Sequence, residues 1–184
     1  MTTPPLALYR RILGTQWNDL PPKIRAAHAD GSELRLRGMF RVEVGRGPVA
    51  WMSRLVLGLP LREQEAPVKV LITPRGETEV WQRTIGSWGF STIQEQQESV
   101  LRERYGLLSF DLRVTRENGG LSYCQDSLGV ELGPIRVRIP GPLAVHVQAH
   151  ELPAPDPQLT KVTVRLDLPL VGLLVAYSGV LERA

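Results

Sequence analysis

From Ser32 to the C-terminus, apolar side chains recur at every second position in one short segment after another. This single period constrains the chain more than any motif in it. Leu34, Leu36, Phe40, Val42 and Val44 alternate with Arg35, Arg37, Arg41 and Glu43, and Val68, Val70 and Ile72 open a second such segment. In an extended strand successive side chains point to opposite faces, so each segment carries one apolar and one polar side. Further strands are expected over residues 80–85, 90–98, 101–105, 107–116, 121–132, 135–139, 143–149 and 162–168, with another in the C-terminal "LPLVGLLVAYSGVLER". Pro74-Arg75-Gly76, Gly86-Ser87-Trp88-Gly89 and Asn118-Gly119-Gly120 separate them as turns, the last being the strongest hairpin signal because both central positions need positive φ. About eight to ten one-sided strands result. They bury their apolar faces most simply by curling into an antiparallel barrel or half-barrel.

Two regions keep a helical period instead. In residues 1–31, Leu6, Leu8, Tyr9, Ile12 and Leu13 recur near helical spacing, with Pro4 and Pro5 as a start and Gly14 as a stop. A second short helix is expected over residues 22–29, ending at Asp30-Gly31. The stretch "GPVAWMSRLVLGLP" predicts a helix near residues 48–58 in which only Ser53 and Arg54 are clearly polar. Such a helix should be buried, or should cover something apolar, either in the concave side of the sheet or over its mouth. The expected organisation is one domain of 184 residues, α+β but mainly β: an N-terminal helical segment, residues 1–31, then a curled sheet, residues 32–184.

Charge and motifs narrow the chemistry. With 22 basic against 19 acidic residues the net charge is +3, spread thinly, so nucleic acid is not expected as a partner. Cys124 is the single cysteine, which excludes an internal disulfide; a lone strand cysteine is expected to be a small buried hydrophobe. The opening "MTTPPLALYRR" does not read as a signal peptide, and the longest apolar run falls well short of the roughly 20 residues of a membrane helix. A cytoplasmic, non-transmembrane protein is the expectation. Neither G-x-G-x-x-G nor G-x-x-x-x-G-K-[ST] occurs, and no cofactor is expected. His146 and His150 share a strand face but stand roughly 13 Å apart at about 3.3 Å per residue, too far to share a metal. No G-x-S-x-G elbow occurs, and Ser109 with Asp111, or Asp126 with Ser127, offers suitable residue types without a signature.

Two stretches hold the candidate ligand-binding residues. In "EVWQRTIGSWGF", Trp81, Arg83 and Ile85 share one strand face, and Trp81 and Phe90 are expected to line the interior. Arg83 is then either a cavity-lining charge that needs a carboxylate or ligand anion, or a solvated residue beside Trp81. In "QEQQESVLRERYG", Glu95, Gln97 and Ser99 share one face, Gln94, Gln96 and Glu98 the other, and Glu103 and Arg104 follow. Pointing inward they would hold a polar head group or do acid-base work; pointing outward they are a solvated face, and the same alternative holds for Arg136 and Arg138. The candidate set is Trp51, Trp81, Arg83, Phe90, Glu95, Glu103, Arg104 and Tyr177.

The segments "LYRRILGTQWNDLPPKIRAAH", "GMFRVEVGRGPVAWMSRLVLGLP", "EVWQRTIGSWGFSTIQ", "LRERYGLLSFDLRV" and "DLPLVGLLVAYSGVLER", in this order and spacing, resemble a bacterial family catalogued as domain of unknown function 4166. The resemblance covers nearly the whole chain. It implies an intracellular protein whose relatives are attached to saccharopine-dehydrogenase-like or epimerase-like proteins, and it carries no catalytic residue with it. Three functions are therefore expected to compete: a binding module holding a lipophilic small molecule in a barrel-like cavity, a cofactor-independent cavity enzyme using Glu and Arg, and an accessory domain for an oxidoreductase partner.

Overall fold

The computed structural model describes residues 7–28, 32–156 and 158–184. The alternating segments become strands β1 (Leu34–Val44), β2 (Gln64–Arg75), β3 (Thr78–Ile85), β4 (Trp88–Gln97), β5 (Val100–Tyr105) and β6 (Leu108–Glu117). They continue as β7 (Gly120–Leu132), β8 (Ile135–Arg138), β9 (His146–Pro153), β10 (Thr160–Leu168) and β11 (Gly172–Arg183). Neighbours are antiparallel in the order β6-β5-β4-β3-β2-β1-β11-β10-β9-β7, and β6 pairs with β7 to close a ten-stranded ring. Residues 121–124 of β7 pair with β9, and residues 129–132 pair instead with β8, an eleventh strand outside the ring. The fold is thus the mainly β antiparallel barrel with an N-terminal helical segment that the period implies. The closing β6–β7 ladder decides between barrel and half-barrel.

The hairpin at Asn118-Gly119 has φ of 50 and 74, as its sequence requires. The turn expected over residues 86–89 is shorter, because Trp88 already belongs to β4. Along the outer wall stand Arg35, Arg37, Arg41, Lys69 and Gln82, all exposed or half-buried, the reverse of a lipid-facing barrel wall. No helix among the described residues is long and apolar enough to cross a membrane.

Each end of the barrel has its own cover. At the lower end, where the β2–β3, β4–β5 and β6–β7 turns lie, α1 (Leu8–Leu13), a 3-10 turn (Gly14–Asp19) and α2 (Pro22–Ala27) drive Leu8, Tyr9, Leu13, Trp17, Leu20 and Ile24 into the core. Pro22 sits at the first position of α2, where its missing N–H costs nothing. The expected start at Pro4, Pro5 and Leu6 and the stop at Asp30-Gly31 lie outside the described residues.

At the upper end α3 (Pro48–Leu57) lies over the mouth. Its C-cap Gly58 has φ 64, and Leu59 N–H closes on Arg54 O at 2.9 Å, so the chain turns back into β2. Of the two expected placements α3 takes the one over the mouth, and it is not buried all round. Ala50 packs against Leu128, Ala144, Val145 and Leu174, and Arg54 turns inward to donate to Gly45 O at 2.6 Å. Val49, Trp51, Met52, Leu55 and Val56 face outward. A helix over a mouth touches the barrel along one narrow stripe, and the remaining apolar side chains have nothing beneath them.

Gly38 and Gly179 bring β1 and β11 together more closely than any side chain allows. A Cβ on Gly38 would collide with the carbonyl oxygen of Val180, and one on Gly179 with the carbonyl oxygen of Met39 and the ring of Phe40. Gly179→Ala is therefore expected to lower stability by on the order of 3 kcal/mol. Gly141→Ala, with nothing within 4 Å of the added carbon, should stay within about 0.5 kcal/mol. Urea unfolding monitored by tryptophan fluorescence checks both; equal midpoints would refute the close approach.

Candidate functional site

Ten strands make a ring wider than inward side chains can fill, and the barrel encloses a cavity of about 490 Å³. Most of its wall is apolar, with Phe40, Val68, Val70, Ile85, Phe110, Leu112, Val162 and Leu166 facing in from strands all round the ring. Beside α2 the wall includes the exposed residues Ala26, Gln158 and Arg183, with Lys23 and Glu182 half-buried next to them, so the cavity reaches the surface there.

Alternation along β3, β4 and β5 places one polar group in this wall. Trp81 and Arg83 point inward from β3, Phe90 and Thr92 from β4, and Glu103 from β5. Arg83 Nη1 donates to Glu103 Oε1 at 3.0 Å and to Thr92 Oγ1 at 2.8 Å, and Thr92 donates to the same Glu103 oxygen at 2.6 Å. The guanidinium carbon stands 4.7 Å from the Trp81 ring and 5.5 Å from that of Phe90, within cation–π range. Burial pulls the Arg83 pKa down, but Glu103, Tyr177 and Tyr9 outweigh it, and the guanidinium is held above its ordinary value. Tyr177, from β11, packs against Phe40 at 5.9 Å and edge-on to Trp88 at 5.9 Å. Burial pushes its hydroxyl up to about 12, so it remains a neutral donor.

A second polar group lines the α2 end of the cavity. His28 Nε2 is 2.8 Å from Glu151 Oε2, Tyr123 donates to Glu151 Oε1 at 2.9 Å, and Tyr9 donates to Gln94 at 2.9 Å. The His28 ring lies 3.9 Å from that of Tyr9 and its Nδ1 is buried without a hydrogen-bond partner among the described residues. Burial raises the Glu151 pKa, yet His28, Tyr123 and Arg83 outweigh it and hold the carboxylate below its usual range. Behind Trp81, whose indole N–H donates to Glu79 at 3.0 Å, burial raises the Glu79 pKa. Glu79 does not line the cavity.

Of the candidate residues, Trp81, Arg83, Phe90, Glu103 and Tyr177 come together on the cavity wall. Trp51, Glu95 and Arg104 do not. Trp51 sits on the outer face of α3, while Glu95 and Arg104 point outward and pair with each other at 3.3 Å, Arg104 also reaching Glu131 at 3.7 Å. The reason is the strand period: Thr92, Gln94 and Glu103 take the inner face, so their neighbours take the outer. For Arg83 the interior alternative is the one the structure adopts. Arg136 lies outside, over Ser109, Ser127 and Asp111, and Arg138 is exposed. Ser109, Asp111 and Ser127 belong to that outer ion-pair network and have no histidine in it. Cys124 is exposed, contrary to expectation, because Leu121 and Tyr123 hold the inner positions of β7. Among the described residues no three His, Cys, Asp or Glu side chains are grouped to hold a metal ion.

Sequence reasoning missed Tyr9, His28, Tyr123 and Glu151. Val147, Ala149 and Glu151 alternate on one face of β9, which was the available signal for Glu151. Tyr9 and His28 carry no such signal, because nothing in a helical period says which barrel end the helix plugs.

The Arg83–Glu103 pair keeps only 16% and 18% of its side-chain surface, so removing one partner strands the other. Arg83→Met or Glu103→Leu alone should cost about 2–4 kcal/mol, and the two together clearly less than the sum. A double-mutant cycle in urea checks this; additive losses would show that the pair is not coupled.

A search of the curated proteins found no match to the chain. The pattern of the family described as Domain of unknown function (DUF4166) matches residues 20–181. The span takes in α2, α3 and the barrel strands apart from the last two residues of β11, with α1 and the 3-10 turn preceding it, and the chain belongs to this family.

Proposed function

We propose that the protein is a cytoplasmic binding module that holds a lipophilic or amphipathic small molecule inside the barrel. The observation that carries this reading is the cavity of about 490 Å³, mostly apolar in its wall and interrupted by two groups of convergent polar side chains. Cavities of this size and composition are where small ligands bury most of their surface. A cavity enzyme working by acid-base chemistry is less well supported. It asks for a cavity-lining carboxylate with a raised pKa, whereas the carboxylate so shifted, Glu79, lies behind Trp81 and Glu151 is shifted the other way.

Solvent extraction of gently purified, then denatured protein, followed by mass spectrometry against a mock purification, should release an apolar molecule in stoichiometric amount. Val164→Trp, which fills the cavity from β10, should abolish it while leaving the circular dichroism spectrum in place. An extract identical to the mock, together with no saturable uptake of the neutral dye Nile red, would refute the reading.

The upper end supports a second, compatible reading as an accessory domain. Among the described residues, every exposed large hydrophobic except Met39 and Ile93 lies at this end or on the adjoining β8, including Trp51, Met52, Leu55, Leu107, Ile135 and Leu170. Such concentration on one end of a barrel supports the reading of an interaction surface there. The partner suggested by the family's attachments is an oxidoreductase. Tagged protein should retain one from its native host, and Trp51→Asp with Leu55→Asp should release it; absence of any oxidoreductase from the wild-type capture would remove this reading.

A further inference from the structure

Resting on the binding reading above, we infer that the part of the ligand that enters the barrel is uncharged and carries an oxygen acceptor, a ketone, ester or alcohol on an apolar skeleton, and that Arg83 and Tyr177 are the groups that meet this oxygen. Among the described residues Arg83 spends only Nη1 on Thr92 and Glu103; its Nε and Nη2 make no hydrogen bond and are not sealed by packing. The Tyr177 hydroxyl likewise has no hydrogen-bond partner among the described residues and is not sealed. Both residues line the cavity. The free donors of these two residues therefore face a space whose wall is mostly apolar, and an apolar molecule without an acceptor would desolvate them for no return.

The charge count excludes an anion as the simplest match. One guanidinium, Arg83, is set against Glu103, to which it is already paired, and Glu151 lines the same cavity with His28 as its partner. Glu79 lies just behind Trp81. Away from the opening the wall thus holds two carboxylates, Glu103 and Glu151, and among the described residues Arg83 is the one guanidinium set against them. A ligand carboxylate would add a buried negative charge, and among the described residues the cationic side chains away from the opening, Arg83 and His28, already face Glu103 and Glu151. Lys23 and Arg183 do stand at the opening beside α2. An acid held there by its head would push its tail against the Arg83–Glu103 pair and leave both free donors unmet.

The test is displacement of Nile red by 2-tridecanone, tridecanoate and tridecane, matched in chain length, at pH 7. The ketone should bind about 10-fold or more tightly than either of the others. Tyr177→Phe should weaken the ketone roughly 5-fold and leave the alkane unchanged. Tridecanoate binding as tightly as the ketone, or more so, would overturn the uncharged class. Equal binding of ketone and alkane would overturn the polar station while leaving the lipophile-binding reading intact. If Nile red does not bind and none of the three is taken up, the binding reading itself fails and this inference with it.

Discussion

Closure of the ring by the β6–β7 ladder is the constraint from which the other features follow. In an open sheet the inward face can be covered by any layer, but in a closed ring every inward residue meets the same enclosed volume. With ten strands that volume exceeds what the side chains fill, and a cavity remains. Closure also consumes both edges of the strands in the ring, which leaves α1, α2 and α3 to act as covers at the two ends rather than as layers on a sheet. Because a cover at an end touches little of the barrel, α3 keeps most of its apolar side chains in solvent.

The enclosed volume sets the electrostatics. Every charge inside must be paired or neutralised, and the pairs formed are Arg83 with Glu103 and His28 with Glu151. Each is completed by a hydroxyl, from Thr92 in one case and Tyr123 in the other. These groups stand in an otherwise apolar wall, where an unmet donor is costly, and this makes the free Nε and Nη2 of Arg83 and the free hydroxyl of Tyr177 informative about what fills the space. The ion pairs outside the ring, such as Arg37 with Glu182 and Arg165 with Asp167, are solvated and contribute little.

Much of this was legible beforehand, and the limits are instructive residue by residue. Trp81, Arg83 and Ile85 were assigned to a common face because the strand period is two, and the same rule separates Glu103 from Arg104. The rule does not say which face is inner when both are polar. That is why Glu95 and Glu103 were indistinguishable as candidates, although one lies on the outer wall and the other in the cavity. Trp51 was placed near the cavity by the apolar character of its helix, whereas Ala50 and Arg54 take the inward stripe. An arginine inside and a tryptophan outside is a tertiary outcome, fixed by the Gly45 carbonyl that Arg54 satisfies.

By itself the sequence determined the strands, their faces, most of their turns and the absence of common phosphate-cradling loops, because each of these follows from local period, φ preference or motif. Tertiary structure alone decided that the ring closes, which face of β4 and β5 became the interior, and that Tyr9, His28, Tyr123 and Glu151 meet. Those residues lie on α1, α2, β7 and β9, far apart in the chain. Their meeting depends on how the N-terminal segment seats in one end of the barrel, and no periodicity within a segment carries information about contacts between segments.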